Sequence, residues 1–290
     1  MDEPDREPPQ AGKRLTRKDV LRLIEEHGGP DGLDLGEADL REAALLDLDL
    51  HGAYLWWANL QGATLIRTKL QGAYFVSARL QGANLFDANL QGATLVLANF
   101  QGAILGRADL RRARLAWANL RDANLEDVNW GDYVLGEEIA GDFGQAASTY
   151  RALKQRHTEL GMFDVAGEFH YREMEARRKL AQDELRVPDL LGLHLFRLLF
   201  AYGERPLLVV VWAAAIVFGF ALVHWAFGTV SGGFLDALYF SAVSFPALGY
   251  GEWAPEPQGW AGRFLGAGES FMGVFMIALF LVTFTRKMTR

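Results

Sequence analysis

The 290-residue sequence contains no cysteine, so disulfide frameworks and thiolate metal sites are excluded. The first ten residues, MDEPDREPPQ, are charged and proline-rich and lack an apolar run, so we expect no signal peptide. No pairing of a nucleophile with a general base and no phosphate-binding glycine loop stands out. An enzyme is therefore the class of protein that the sequence favours least. The net charge of −7 is too modest to indicate a partner.

Charged residues are almost absent from two stretches near the C-terminus. Residues 206–228, PLLVVVWAAAIVFGFALVHWAFG, contain no Asp, Glu, Lys or Arg. Residues 264–285, FLGAGESFMGVFMIALFLVTFT, contain one acid, Glu269. Each stretch exceeds the roughly 20 residues that a helix needs to cross a bilayer. A helix buried in a soluble protein is the alternative interpretation, but two such stretches close together favour a pair of membrane spans.

A five-residue repeat fills the N-terminal half. At the twenty positions that are multiples of five from 35 to 130, seventeen residues are Leu, and the residue two positions earlier is Ala in sixteen cases. The exceptions at the Leu position are Phe75, Phe100 and Trp130. A period of five fits neither an α-helix nor a strand. It fits a coil in which each side is one pentad long. The Leu and Ala side chains would point into the coil, and Asn or Asp would stabilise the turns at its corners.

These pentads, among them ADLRE, ANLQG and ATLVL, resemble the pentapeptide-repeat family, whose consensus is A(D/N)LXX. The resemblance implies a right-handed quadrilateral β-helix over residues 33–131, with four pentads in each coil. Twenty pentads then form five coils, a rod about 24 Å long at about 4.8 Å between coils. The resemblance implies a fold and says little about function.

Some members of that family imitate a DNA duplex, which requires a densely negative surface. Residues 33–130 contain eleven acidic and nine basic residues, which leaves a net charge of −2. Arg111, Arg112 and Arg114 also lie close together in the sequence, so we expect no nucleic-acid partner. Gln-Gly pairs begin at 61, 71, 81, 91 and 101, which indicates that alternate sides of the rod differ. The sequence does not identify a cytoplasmic partner of the repeat domain.

Helical segments flank the repeat. Thr16 followed by RKDVLRLIEEH predicts a capped helix, which we expect to cover one end of the rod. We expect the first dozen residues to be disordered, and this tail and the helix together make up residues 1–32. The apolar spacing in residues 132–187 predicts an α-helical hairpin that links the repeat to the rest of the chain. One helix lies in GQAASTYRALKQRHTELG and the other runs from about 165 to 185. Pro188 breaks the hairpin, and the apolar residues 188–205 suit a helix on the membrane surface.

The hairpin contains four residues of the metal-ligand types, namely His157, Glu168, His170 and Glu173. His170 and Glu173 share a helix face, and His157 would approach them from the partner helix. Solvated or structurally paired side chains are the alternative interpretation, which we favour.

The loop between the two spans begins with GGFLDALYFSAVSF at residues 232–245. This segment is long enough for a short helix but too short to cross a bilayer. It leads into SFPALGYGEW at residues 244–253. Irregular backbone at membrane depth is tolerated only where protein buries it or where it lines an aqueous path. A tight turn that happens to contain GYG is the alternative, but the flanking segments favour a re-entrant helix.

The order of span, short helix, glycine-rich strand and span over residues 206–290 resembles the two-transmembrane potassium-channel pore family, whose signature is T-x-G-Y-G. The resemblance implies an ion selectivity filter formed by Ala247, Leu248, Gly249, Tyr250 and Gly251. The backbone carbonyls of the first four, contributed by four chains, would replace the hydration shell of K⁺. The two glycines permit the backbone conformations that this arrangement needs. K⁺ is then the permeant ion, and no cofactor is expected.

The sequence departs from the family signature at three positions. Ala247 stands where the family has a threonine hydroxyl that completes the innermost ion site. Pro246 replaces a hydroxyl residue, lacks an N–H and is expected to push Phe245 out of helical conformation, which ends or kinks the pore helix. Glu252 stands where the family commonly has Asp. The first departure weakens the innermost ion site.

The same resemblance implies supporting and gating residues. Filter support falls to Tyr239, Phe240, Glu252, Trp253 and Glu269. The three aromatic residues form a cuff with Tyr250, and Glu269 is either a functional acid inside a span or hydrogen-bonded behind the filter, which we favour. The gate and hinge comprise Gly273, Ile277, Leu281 and Thr285.

Basic residues predict the orientation of the spans. Arg197 and Arg205 precede the first span, Arg286, Lys287 and Arg290 follow the second, and the loop between them has Arg263 alone. The positive-inside rule then places both termini in the cytoplasm of a multi-pass protein of the cell (inner) membrane.

The sequence as a whole predicts a homotetrameric potassium channel with a cytoplasmic β-helix, whose partners are membrane lipid and its own copies. Two alternatives are a weakly selective monovalent cation channel and a non-conducting scaffold tethered to the membrane. The gating stimulus is not evident from the sequence.

Overall fold

The computed structural model of the chain describes residues 9–204, 206–246, 257 and 259–288. The chain divides into two compact units, Met1–Leu185 and Arg186–Arg290. The helices of the first unit are α1 (Arg17–His27), α2 (Gly136–Ile139), α3 (Phe143–Glu159) and α4 (Phe163–Asp183). Those of the second are α5 (Val187–Phe200), a 3₁₀ turn (Ala201–Gly203), α6 (Pro206–Ala226), α7 (Phe234–Ser244) and α8 (Gly259–Met288).

The repeat segment winds in coils of 20 residues. Parallel bridges join residues 20 positions apart, as in the series Asp34, Tyr54, Tyr74, Thr94 and Arg114. Four pentads therefore complete each coil. Neighbouring coils are joined by backbone hydrogen bonds such as the one from Leu55 N–H to the carbonyl of Tyr74 (2.7 Å). The pairing consists of isolated bridges, and the described residues contain no continuous strand.

The predicted ladders of Leu and Ala form the core of the rod. Leu85 and Ala83, for example, have no exposed surface, and most members of the two ladders are buried. Thr68 replaces an Ala, and its buried hydroxyl donates to the carbonyl of Leu45 (3.0 Å). At the corners, Asn oxygens accept from the backbone N–H two residues later, as in Asn89 (3.1 Å). Both predictions, the inward ladders and the corner role of Asn, are confirmed.

The four sides of a coil carry different residues. Because a coil contains four pentads, the Gln-Gly pairs at 61, 81 and 101 stack on one side and those at 71 and 91 stack two pentads away. Their glycines have a positive φ, such as +65° at Gly82, which costs glycine little. A third side carries ion pairs such as Arg67–Asp47 (2.7 Å), and the fourth carries aromatic residues, including the exposed Trp57 and Trp117.

The N-terminal end of the rod is covered by α1, as predicted. Thr16 is the N-cap, and its hydroxyl and N–H bind the carboxylate of Asp19 (2.7 and 2.9 Å). The sequence predicts disorder for the first dozen residues, and this is wrong at the end of that segment, at Gly12. Gly12 N–H donates to the carbonyl of Glu37 (3.0 Å), so this segment pairs with the first coil. Residues 1–8 lie outside the described residues.

The opposite end is covered by the hairpin of α3 and α4, which the sequence predicts only as a linker. The indole of Trp130 packs against the ring of Phe169, with 5.1 Å between ring centres. Tyr150 and Leu153 of α3 belong to the same hydrophobic core as the rod. The carboxylate of Glu137 in α2 accepts from the N–H of Ala116 in the last coil (2.6 Å), and burial raises the pKa of Glu137.

The second unit contains two long apolar helices. The stretches Leu207–Ala226 and Gly259–Thr285 are long and apolar enough to cross a membrane, judged by length and composition. Their most apolar windows are only 17% and 22% buried within the chain. A core helix of a soluble protein is mostly buried, so this exposure disfavours the soluble alternative. Ahead of α6, Pro188 lies in the first turn of α5, where a missing N–H costs nothing.

Candidate functional site

The predicted filter lies outside the described residues. This holds for Ala247, Leu248, Gly249, Tyr250 and Gly251 and for the neighbouring Glu252 and Trp253. The described residues frame this segment, since α7 ends shortly before it and α8 begins shortly after it. The candidate site is therefore built from α6, α7 and α8.

The short helix α7 occupies the position predicted for the pore helix. It begins after Gly233, whose N–H donates to the carboxylate of Asp236 (2.7 Å), and an acid in the first turn suits the helix dipole. Its last residue is Ser244. The prediction that Pro246 forces Phe245 out of helical conformation is wrong, because Phe245 has φ −56° and ψ −49°. That conformation is disfavoured before proline but not forbidden.

Burial holds Phe245 in place. It is 6% exposed and forms a hydrophobic cluster with Val209 of α6 and Met276 of α8. Its N–H donates to the carbonyl of Ser241 (2.9 Å), which closes the last turn of α7. Phe245 therefore contacts both long helices just before the segment that the sequence predicts as the filter.

Side-chain hydrogen bonds also attach α7 to both long helices. The hydroxyl of Ser241 lies 2.8 Å from the carbonyl of Val217 in α6 and also contacts Oε1 of Glu269 in α8. The hydroxyl of Ser270, the next residue of α8, donates to the carbonyl of Ser244 (2.8 Å). Within α7, the Ser244 hydroxyl donates to the carbonyl of Phe240 (2.7 Å). Polar contacts thus fix the orientation of α7.

Glu269 faces a histidine that the sequence analysis did not select. Its Oε2 lies 3.6 Å from Nε2 of His224 in α6, and neither side chain has exposed surface. Nδ1 of the histidine lies 2.7 Å from the hydroxyl of Thr229. The ring of Phe240 packs edge-on against the imidazole, with 4.9 Å between ring centres. An ionisable residue within a span is a functional candidate by default, and that rule identifies His224 as well as Glu269.

The predicted filter-support residues divide into two groups. Phe240 and Glu269 lie together in the buried contact between α7 and the two long helices. Tyr239 is 49% exposed and lies outside that contact within one chain. Ser241, Ser270 and Thr229 also serve the site but carry no sequence signal of their own. The partners of the two serines are 24 to 28 positions away, and the partner of Thr229 is His224, five positions earlier at the end of α6.

Gly273 lies where α8 and the end of α7 come closest. A Cβ added at this position would lie 1.5 Å from the carbonyl oxygen of Phe245 and 2.4 Å from the carbonyl carbon. The glycine therefore permits a packing contact, and its predicted role as a hinge stays a prediction. Helix α8 continues past it without interruption to Met288.

The predicted gate residues follow Gly273 at intervals of four, so they lie on one side of α8. Ile277 is 40% exposed and Leu281 is 55% exposed, and Thr285 is also exposed within one chain. Apolar side chains that one chain leaves uncovered need lipid or other subunits around them.

The hairpin residues of metal-ligand type do not form a ligand set. The described residues contain no group of three or more such side chains that could hold a metal ion. Glu173, 3% exposed, instead binds Lys154 (2.8 Å), Arg151 (3.1 Å) and Arg177 (2.6 Å). Burial opposes its ionisation, but His170, Lys154 and Arg151 hold the pKa of Glu173 well below the usual range. The structural interpretation accounts for this residue.

Family models match two parts of the chain. Residues 207–290 match the model described as "Ion channel". Three overlapping segments, 49–85, 58–95 and 88–127, match the model described as "Pentapeptide repeats (8 copies)". No curated protein matches the chain.

Solved structures of pentapeptide repeat proteins are similar to part of this chain. One from the Arabidopsis thaliana thylakoid lumen is 26% identical over 34% of this chain and 72% of that one, with a TM-score of 0.20. Rfr23 from the cyanobacterium Cyanothece 51142 is 29% identical over 41% and 82%, with a TM-score of 0.21. One from Nostoc Pcc 7120 is 38% identical over 34% and 83%, with a TM-score of 0.20.

Proposed function

The chain joins pentapeptide repeats to an ion-channel domain, and on this basis we propose that four copies form a potassium-preferring channel with the repeat domains in the cytoplasm. The observation that best supports the proposal is that α7 is bonded to both long helices. This short apolar helix is hydrogen-bonded to α6 through Ser241 and to α8 through Ser270, immediately ahead of the GYG segment. A selectivity filter needs the chain that leads into it to be held rigidly, because the filter carbonyls must keep their positions to within fractions of an ångström.

The carbonyls of Ala247, Leu248, Gly249 and Tyr250 would coordinate the permeant K⁺. Helix α7 would re-enter the membrane and present its C-terminal end, with its partial negative charge, to the ion path. A ring of carbonyls around an axis requires several identical chains, and four is the number that the filter signature implies. Cyclic symmetry satisfies that requirement.

The repeat domain would form a right-handed quadrilateral β-helix on the cytoplasmic side. This placement follows from the basic residues that flank the two spans, among them Arg197 and Lys287. The apolar helix α5 would lie along the membrane surface, since Leu191 and Leu198 are well exposed on it. Lipid and the other subunits would cover the exposed faces of α6 and α8.

The test is ion flux through the purified full-length protein in liposomes loaded with K⁺. We expect K⁺ efflux when a counter-ion pathway is provided and a reversal potential close to the K⁺ equilibrium value in mixed K⁺ and Na⁺ solutions. Absence of flux at every voltage and pH would contradict the proposal and favour a scaffold. Liposomes prepared without protein are the blank.

Ala247 favours a second candidate, a weakly selective monovalent cation channel. The alanine lacks the hydroxyl that completes the innermost ion site in the family signature. Reversal potentials in K⁺ against Na⁺ separate the two candidates. A large gain in selectivity for Ala247→Thr would support the weakly selective channel, and an unchanged, strongly K⁺-selective potential would support the potassium channel.

A further inference from the structure

The hairpin of α3 and α4 leaves one side of the last coil, residues 117–122, uncovered. We propose that this open side binds an extended peptide segment of a partner protein, which adds to the rod as one further pentad. The inference concerns the first unit alone and holds whether or not the second unit conducts ions. Three observations support it: unpaired backbone groups, an incomplete apolar core and a groove of suitable size.

Three N–H groups along the open side lack a partner. In the coil below, the three equivalent N–H groups donate to carbonyls 19 positions later at 2.8 to 3.0 Å, as Phe100 does to Asn119. In the last coil these groups belong to Trp117, Leu120 and Asp122, and none of them has a hydrogen-bond partner among the described residues. An edge of this kind pairs readily with another extended backbone.

One carbonyl on the same side completes the pattern. The carbonyl of Ala98 accepts from the N–H of Asn119 in the next coil (2.9 Å), whereas that of Ala118 has no donor within the described part of the chain. The open side thus offers three donors and one acceptor in the order in which each lower coil offers them to its neighbour. A parallel pentad satisfies all four, whereas the backbone groups inside a helix already bond one another.

The apolar ladders are also incomplete at the open side. Ala98 and Phe100, one coil below, are 0% and 1% exposed, but Ala118 and Leu120 are only partly buried. The neighbouring side of the same coil is covered by α2, and its Leu115 is 2% exposed. A segment with a small residue and, two positions later, a leucine would extend both ladders and bury this apolar surface.

Helix α3 leaves room for such a segment. An open groove of about 670 Å³ lies between α3 and the open side, within the range of about 300–1,000 Å³ that is usual for ligand sites. Its lining includes two pairs of opposite charge, Arg121 with Asp122 (3.7 Å) and Arg156 with Glu159 (3.4 Å). The charges in the lining cancel, so the groove favours a segment without net charge.

The corners of the rod define the rest of the segment. In the lower coils of this side the residue two positions after the leucine has a positive φ, +65° at both Gly62 and Gly82. Glycine adopts this conformation at little cost. The segment that fits is therefore an uncharged pentad of the type Ala-Asn-Leu-Gln-Gly, which is also the sequence of residues 58–62 of the chain.

Peptide binding to the full-length protein in lipid nanodiscs tests the inference. The probe is the fluorescently labelled peptide ANLQGANLQG, which contains two copies of that pentad, and fluorescence anisotropy measures its binding. We expect saturable binding to the wild type and at least about tenfold weaker binding to Ala152→Trp, whose indole fills the groove from α3. Ser148→Trp, one turn earlier in the groove lining, should act in the same way and serves if Ala152→Trp does not fold.

Thr158→Trp is the matched control. It adds the same side chain at an exposed position of α3 that does not line the groove, so it should bind the peptide as the wild type does.

Hydrogen exchange identifies how the peptide binds. We expect the peptide to slow exchange at the amides of Trp117, Leu120 and Asp122, because each gains an acceptor. N-methylation of both asparagines in the peptide removes the donor for the carbonyl of Ala118. It should weaken binding at least about fivefold, the value of one hydrogen bond.

Three results would overturn the inference. The first is no binding up to about 1 mM peptide, which would leave a solvated edge. The second is binding that neither protects these amides nor responds to N-methylation, which would mean that apolar contacts alone hold the peptide. The third is binding that Ala152→Trp and Ser148→Trp both leave unchanged, which would place the peptide elsewhere.

Discussion

The close approach of α8 to the end of α7 makes Gly273→Ala an informative change. The added Cβ would lie 1.5 Å from the carbonyl oxygen of Phe245, whereas real Cβ contacts are almost never shorter than 3.0 Å. The two helices must therefore separate by at least about 1.5 Å, the difference between these distances. Overpacking of this kind costs about 1–3 kcal/mol. The displaced residue, Phe245, comes just before the segment that we propose as the filter.

Gly268→Ala is the matched control for this change. It lies in the same helix, and nothing comes within 4 Å of its added Cβ. Alanine there should be neutral or favourable by up to about 1 kcal/mol, because it is the better helix former. The assay is thermal unfolding in detergent together with K⁺ flux from liposomes. We expect Gly273→Ala to lower both quantities and Gly268→Ala to lower neither. Equal behaviour of the two variants would refute the packing argument.

Three further predictions concern the first unit, and urea unfolding of the full chain measures each. Glu173→Gln should lower the unfolding free energy by about 3 kcal/mol at neutral pH. Because the pKa of Glu173 is held below its usual range, this loss should shrink as the pH falls below about 4; a constant loss would contradict it. Leu95→Ala, at a fully buried position, should cost about 2–5 kcal/mol. Leu97→Ala, at a position 53% exposed, should stay within about 0.5 kcal/mol, and similar costs for the two would contradict the assigned register. Glu137→Ala leaves a buried N–H of the last coil unpaired and should cost about 1–3 kcal/mol more than Glu137→Gln, which keeps the acceptor; the reverse order would exclude this capping role.

The core of the rod could be predicted from the sequence because a period of five places the same residue type at the same point of every side. Leu85 and Ala83 are buried for this reason. What covers the ends could not be predicted equally well. The cap formed by Thr16 and Asp19 is a local pattern, and it is confirmed. Tyr150 packs against residues of the rod that are distant in the sequence. Its helical spacing therefore indicated a helix but could not indicate that this helix packs on the end of the rod.

The same limit applies to the channel domain. The apolar stretches around α6 and α8 are visible in the sequence because membrane helices are long and nearly free of charge. The contact between His224 and Glu269 joins residues 45 positions apart, and only the fold brings them together. Phe245 shows how tertiary packing outweighs a local rule, since its burial keeps a helical backbone in front of Pro246.

The central claim is that four chains place their filter carbonyls around one axis. Electron microscopy of the purified protein in lipid nanodiscs with K⁺ tests it most directly. The account predicts a fourfold particle with ion density in line on the axis, bounded by the carbonyls of Ala247, Leu248, Gly249 and Tyr250. A single-chain or twofold particle, with the side chain of Tyr250 directed into lipid, would contradict it.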